Sequence, residues 1–452
     1  MFLYYYIFFV LFYMYKATII IPFEVNLTYL NINLQEKEFM YYFSYNSLYT
    51  YININSINLN LPINIKLQKN PFYILSSDCL INNGEENINK YFTYKSLYYF
   101  NQNLSSTYYS KNQNYKVFIE EDFDYGNISS DNIKFKNLNL MNFSFVLVTK
   151  FDEYKNIFNG GSLGLSLKYK YDEELDNTNF IKQLKLNNII NSYLFTLEFS
   201  SENYDKGNLM LDFIISENKY DKFETIHEVI DIYWGLKIEK IIFFNNNSQI
   251  ILSNETTKIK LYYELNILIA GINIKYKILN STIISKLFND KKCLEKEFYD
   301  KTTRYNYFIC DNNIDKTLFG NLSFYNKDIN REFILNYNDL FKEFKGKLYF
   351  LLIFYQYKTD KWEFGLPFFK KYKVLFDLDK KLIYIEKNIK NIKNKNNNNN
   401  YYLLTLIIFG IFIIIFILFI IMKILKKNKK LRKNDFELNS LEIEDNYKTI
   451  NS

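Results

Sequence analysis

Trp362-Glu-Phe-Gly-Leu-Pro-Phe-Phe-Lys-Lys-Tyr-Lys-Val-Leu-Phe-Asp377, followed by Leu382-Ile-Tyr-Ile385, is the most informative segment of the chain. An apolar-Gly-x-x-Phe run leads through a tyrosine to Phe376-Asp377. It ends in Lys381-Leu-Ile-Tyr-Ile-Glu386, where apolar and polar side chains alternate with the period of two of a half-buried strand. The same alternation recurs upstream in Tyr51-Ile-Asn-Ile54, Ile63-Asn-Ile-Lys-Leu67, Ile133-Lys-Phe135, Asn137-Leu-Asn-Leu140, Phe143-Ser-Phe-Val-Leu147 and Leu194-Phe-Thr-Leu-Glu-Phe199. Residues 18–386 therefore read as β throughout. Helical patterns are few and short, at Phe180–Leu186, Thr282–Phe288 and Tyr337–Phe344. Twelve Gly and four Pro are too few to make all the turns. Asn and Asp, which tolerate left-handed geometry, must substitute. A long β body with scattered short helices predicts sandwiches or barrels, paired lobes among them.

Length and charge narrow the function classes. At roughly 100–200 residues per domain, 452 residues allow two or three folded units. One His and three Cys exclude a zinc-finger array, and no metal or cofactor site is expected. The 43 Tyr and 43 Phe share AU-rich codons with Asn, Lys and Ile, so nucleotide bias explains them at least as well as stacking does. The net charge of +7 sits at the ends: Lys16, four lysines in 387–400, and eight basic against five acidic residues in 423–452. The body between is close to neutral, which removes the electrostatic warrant for nucleic-acid binding.

Two apolar runs set a topology. Met1 to Tyr15 is uncharged and has the length of a signal-peptide core, so 1–17 is expected to be a signal peptide. No basic residue precedes it, which keeps a retained anchor as the alternative. Tyr401 to Met422 is 22 uncharged residues, enough to cross a ~30 Å hydrocarbon core as a helix. Seven cations follow within Lys423–Lys433, which makes 423–452 the cytoplasmic tail. The body then lies outside or in a lumen, on an Asn/Lys-rich stalk at 387–400. Glycosylation sequons stand at Asn26, Asn103, Asn127, Asn142, Asn246, Asn254, Asn280 and Asn321, all on that side. In so Asn-rich a chain each is weak alone. Tyr447-Lys-Thr-Ile450 has the form of a tyrosine sorting signal, a tetrapeptide that chance also produces.

The chain contains no HExxH, P-loop or GxGxxG. Gly160-Gly-Ser-Leu-Gly164 matches a serine-hydrolase elbow, with His227 downstream. However, no strand–helix alternation surrounds Ser162, and the bland reading, a Gly-rich turn between strands, is preferred. His227 lies in polar surroundings and reads as a surface residue.

Read in order, widely spaced pieces resemble the pepsin-like aspartic peptidases. Trp362–Asp377 with Leu382–Ile385 is similar to that family's C-terminal signature. Ser105-Ser-Thr-Tyr108 resembles the stretch before its flap, and Gly126-Asn-Ile-Ser-Ser-Asp131 the strand after it. Gly161-Ser-Leu-Gly-Leu165 resembles its Asp-Gly-Ile-Leu-Gly-Leu turn. Phe180-Ile-Lys-Gln-Leu184, Ile189-Ile190, Phe195 and Gly207-Asn-Leu209 resemble the interlobe region, and Tyr233-Trp-Gly-Leu236 the opening of the second lobe. The resemblance covers roughly 50–386. It implies a mainly β, bilobed pepsin-like fold, with lobes expected at 18–195 and 196–386.

It also implies two carboxylates, one per lobe, sharing a proton so that one activates water and the other polarises the scissile carbonyl. In the family each lies in Asp-Thr/Ser-Gly-Thr/Ser, whose small residues let two loops approach. Neither Asp-Thr-Gly nor Asp-Ser-Gly occurs here. The family's spacing before Ser76-Ser-Asp-Cys79 puts Lys66 at the first aspartate. The second is expected near Ala270–Lys277, at Asn273, in a stretch, 265–289, with no acid at all. The flap tyrosine position matches Ile119. The resemblance further implies a second-lobe disulfide between Cys293 and Cys310. Cys79 matches a first-lobe cysteine without a near partner and is expected to be either a buried thiol or a site of intermolecular pairing.

The leading expectation is a single-pass type I membrane protein of the secretory or endolysosomal system or cell surface. It has lost peptidase chemistry and keeps an interlobe cleft for a peptide or protein ligand. The alternatives are an active membrane-bound endopeptidase that recruits displaced acids such as Asp78 or Glu120, and a β-rich receptor or adhesion protein whose likeness to peptidases is coincidental.

Overall fold

The computed structural model describes residues 18–25, 39–40, 43–44, 48–54, 59–67, 71–81, 86–87, 99–119, 122–136, 138–151, 160–166, 173–200, 205–212, 223–226, 229–230, 233–245, 248–300, 303–387 and 421–425. Residues up to Lys387 form one compact unit, and Asn388 to Ser452 form a second. The expected signal peptide, His227, Asn26, Asn246, Glu120, Tyr447 and Ile450 lie outside the described residues. So does most of the apolar run 401–422; only its end is seen, as a helical, exposed turn at 421–425. Among the described residues no helix is long and apolar enough to cross a membrane.

The unit is mainly β, arranged as sheets of fourteen, ten and four strands. The alternating segments read from the sequence fall on strands where they are described, apart from Leu67 and Lys381 just beyond strand ends, because alternation puts one apolar row into a core and one outward. Ile63 and Ile65 are fully buried in the main core, for example, while Asn64 and Lys66 lie on the opposite face. The helices Phe180–Leu186 and Thr282–Asn289 form as expected. Tyr337–Phe344 does not: Asn336 to Leu340 make a turn closed by Asn336 and Asp339, and Phe341–Phe344 is a strand hairpinned to Lys347–Phe350. The spacing mimicked a helix, but the Asn and Asp side chains bonded the local backbone instead.

A four-strand pattern appears twice. In the first half, Leu59–Lys66 runs parallel to Gly161–Gly164, which runs antiparallel to Tyr73–Ile81, which in turn runs parallel to Leu138–Phe151. In the second half, Thr257–Leu261 runs parallel to Trp362–Phe364, which runs antiparallel to Leu268–Ala270, which runs parallel to Leu352–Tyr355.

The strands Ile19–Val25, Leu194–Phe199, Lys206–Leu211, Val374–Asp377 and Leu382–Glu386 lie side by side within the fourteen-strand sheet. The chain's last strands thus return to pair with a strand from its middle. Phe195, Trp234 and Phe376 pack ring on ring beneath them, with centroids 4.9–6.1 Å apart. The expected lobe boundary at 195/196 falls inside Leu194–Phe199, a shared element rather than a linker.

Candidate functional site

Superposing the two pairing patterns fixes equivalent positions without recourse to motif spelling. Ile63 and Lys66 are the partners of Gly161 and Gly164. Ile259 and Leu261 are the partners of Trp362 and Phe364, and the Tyr262 N–H continues the ladder to the Phe364 carbonyl at 2.8 Å. Matching Gly161-Ser-Leu-Gly164 to Trp362-Glu-Phe-Gly365 makes Tyr262 the counterpart of Lys66. The antiparallel pairs agree: Tyr73 faces Ser162 and Ile269 faces Glu363, so Tyr73 and Ile269 are counterparts, each seven residues beyond its partner position.

The expected second position, Asn273, does not match. It lies eleven residues past Tyr262, in the first turn of the helix Ile272–Leu279. Its Nδ2 donates to Asp360 at 3.4 Å, while its Oδ1 is buried without a partner. No cysteine follows Tyr262 as closely as Cys79 follows Lys66; the next is Cys293. The motif of this half, Tyr262-Tyr-Glu-Leu, also keeps none of the expected residue types.

On the face opposite the core, the first half presents Asn64, Lys66 and Ser162, all buried. The Ser162 hydroxyl makes no hydrogen bond among the described residues, and no histidine is described beside it. The second half presents Lys260, Tyr262 and Glu363 on its corresponding face, with Lys260 4.0 Å from the Tyr233 ring centroid. The Tyr355 hydroxyl donates to Glu363 Oε1 at 2.9 Å. Burial pushes that phenol well above its usual range, and the Glu363 charge adds to the effect. Gly365 is required where the second frame closes: a Cβ there would stand 2.2 Å from the Leu265 carbonyl oxygen.

The frames are joined by a short relay. The Leu165 N–H donates to the Lys66 carbonyl at 3.0 Å. The Trp234 Nε1–H donates to the Leu165 carbonyl at 3.2 Å, and Gly235 pairs with Lys260. Two further landmarks also meet. Ser105 Oγ donates to Asp131 Oδ2 at 2.6 Å, Thr107 donates to Asp131 Oδ1, and Asp131 is fully buried. The hairpin they anchor pairs Tyr109–Ile119 with Asp122–Phe135, and Ile119 faces Asp122 beside its tip. Asp78 is exposed on its strand and accepts from Ser77 at 3.3 Å.

These landmarks are those of one family. The family model for eukaryotic aspartyl proteases matches residues 72–387. The chain belongs to that family. Its likeness to the peptidases is therefore no strand-pattern coincidence. No curated protein sequence matches the chain. The matched segment begins beyond Lys66–Asn70 and contains Tyr262-Tyr-Glu-Leu265.

Cys293 and Cys310 are directly opposed on the hairpin Cys293–Asp300/Thr303–Asp311 and form a buried disulfide. Cys79 is fully buried in a separate cluster with Leu75, Tyr99 and Val146, which is the buried-thiol alternative. Asn103, Asn142, Asn254 and Asn280 are exposed, whereas Asn127 and Asn321 are half-buried within strands. Sequence reasoning missed Tyr262 and Glu363. Tyr262 is reached only through the parallel pairing of its strand with Trp362-Glu-Phe-Gly365, and Glu363, inside that stretch, gains its meaning from facing Lys260. Among the described residues, no group of three or more His, Cys, Asp or Glu could hold a metal.

Proposed function

We propose that this is a membrane-anchored, bilobed pepsin-like protein that does not cut peptides and whose interlobe cleft serves a peptide or protein ligand. The observation that carries the reading is the pair Lys66 and Tyr262 at equivalent positions of the two strand frames. Lys66 replaces an acid by a cation, and a phenol cannot share a proton near pH 4 as a carboxylate does. Tyr262 rather than Asn273 stands at the second aspartate position. Gln68 and Glu264, two residues beyond each, add bulk where the family keeps glycine.

The anchor is the span 401–422, with 1–17 a signal, 423–452 a cytoplasmic tail sorted through Tyr447 and Ile450, and glycans on the exposed sequons. The strong apolar run followed by Lys423–Lys433 supports this orientation.

A second reading has one observation in its favour. Glu363 and Glu264 bring carboxylates to the neighbourhood of the second frame, so an endopeptidase with displaced acids remains a specific competitor. The experiment is incubation of the purified full chain with an unfolded protein across pH 3–7, with and without pepstatin. Absence of cutting by folded protein supports the binding reading. Pepstatin-blocked cutting at acid pH overturns it in favour of displaced carboxylates.

A further inference from the structure

The ten-strand sheet of the second half is apolar on both faces. One set of side chains, including Phe308, Phe350 and Phe354, belongs to the main core. The alternate set, including Ile267, Ile269, Tyr307, Tyr349 and Ile353, forms a separate cluster against which Tyr262 also packs. That second face starts beside Tyr262 and is covered by a distant piece of chain. Phe39 and Met40 are fully buried on it and Phe43 nearly so. The Phe39 ring stacks on Phe344 at 3.9 Å and contacts Tyr349 at 4.5 Å.

Asn266, four residues past Tyr262 and itself buried, holds this piece by its backbone. Its N–H donates to the Ser44 carbonyl at 3.1 Å and its Nδ2 to the Phe43 carbonyl at 2.9 Å. Two-point capture of consecutive carbonyls beside aromatic anchors is how a protein reads a peptide, since the backbone bonds supply affinity and the ring pockets supply selectivity.

The strands on either side of the covering piece already pair with each other. Val25 and Leu48 are already antiparallel partners, so the strands on either side of 26–47 could be joined by a tight turn. The chain instead makes a long excursion whose described residues, 39, 40, 43 and 44, are spent on the second-half face.

We propose that this face is a binding site for aromatic-rich peptides, that Phe39, Met40 and Phe43 occupy it in cis, and that a partner must displace them to bind. The proposal rests on the non-cutting reading only in placing the ligand site next to Tyr262. The test therefore reads binding rather than cleavage.

In the full chain, residues 26–47 are replaced by an Asn-Gly turn, and a labelled peptide of residues 37–46 is titrated by fluorescence anisotropy. The excised protein should bind the peptide at least tenfold more tightly than the unaltered protein, and substitution of both phenylalanines of the peptide by alanine should abolish the gain. A folded excised protein that ignores the peptide overturns the proposal. If the excision prevents folding, Phe39→Ala/Phe43→Ala in the intact chain is used with the same expectation. Failure of both to fold would make the segment a fixed part of the core and would equally overturn it. Cleavage of the bound peptide would sink the non-cutting reading while leaving the displacement proposal standing.

Discussion

Lys66 and Tyr262 hold equivalent pairing positions in the two strand frames. Lys66 stands thirteen residues before Cys79, an anchor whose buried thiol packs against Leu75 and Val146. Tyr262 has no such anchor and is recognised only by what its strand pairs with. The identity of the two positions leads to a prediction. Lys66→Asp/Tyr262→Asp supplies two carboxylates but leaves Gln68 and Glu264 where the family keeps the glycines that let two loops close on a shared proton. Cleavage of an unfolded protein at pH 3–5 should stay at background in the double variant; pepstatin-sensitive cutting would show that the glycines are dispensable.

Tyr372 makes a separate residue-scale case. Its hydroxyl accepts from the Ile334 N–H at 2.7 Å and donates to the Ile334 carbonyl at 2.9 Å. Burial pushes its phenol up from 10.0 to about 12, against the opposing effects of the backbone bond and Arg331. A raised acid keeps its proton longer in the folded state, so its contribution is complete below pH 10 and is lost as pH rises toward 12. Tyr372→Phe should cost about 1–2 kcal/mol in urea unfolding at pH 7. It should also flatten the fall in stability between pH 10 and 12; an unchanged alkaline slope would count against this assignment.

At the scale of elements, alternation was a sound guide and helical spacing a weaker one. Strands are specified by two faces that must each meet something, and Leu59–Lys66 does this with isoleucines on one side and Asn64 and Lys66 on the other. Over eight residues an i, i+4 apolar pattern is easily imitated. Tyr337–Phe344 carried one, yet Asn336 and Asp339 closed a turn there. The covering excursion 26–47 was not legible at all, because its aromatic residues are indistinguishable by composition from the excess elsewhere.

The disulfide is the element whose energetic effect is simplest to isolate. Cys293 and Cys310 are 17 residues apart and already opposed by the ladder, so the covalent link acts chiefly on the unfolded chain. In the chain-entropy account a loop of that size is worth about 3 kcal/mol. Cys293→Ala/Cys310→Ala should lose roughly that much in denaturant unfolding, while the Asn266–Ser44 amide keeps its hydrogen-exchange protection under native conditions. Loss of that protection in the folded variant would mean that the hairpin also positions the covered face.

At the scale of the whole unit, the question is whether two repeated frames behave as one cooperative body. The shared strands argue that they do. Leu194–Phe199 pairs with both Lys206–Leu211 and Val374–Asp377, and Thr196 Oγ1 donates to the Val374 carbonyl at 2.7 Å, tying residues far apart in sequence. The two tryptophans are natural reporters of different parts. Trp234 bonds Leu165 of the first half and packs on Phe195 and Phe376. Trp362 lies inside the second-half core against Phe324 at 5.4 Å. Trp362→Phe leaves fluorescence that reports the junction, and Trp234→Phe leaves fluorescence that reports the second core. If the junction were a weak hinge, Trp234 would become exposed to water at a lower denaturant concentration than Trp362. Because the shared strands and the buried indole bond must be lost together, each variant should instead unfold in a single transition by its own fluorescence and by far-ultraviolet circular dichroism. Both should lie below the parent midpoint by amounts reflecting only the lost side-chain packing. A Trp234 signal that moves ahead of the loss of secondary structure would show that the halves part before they unfold.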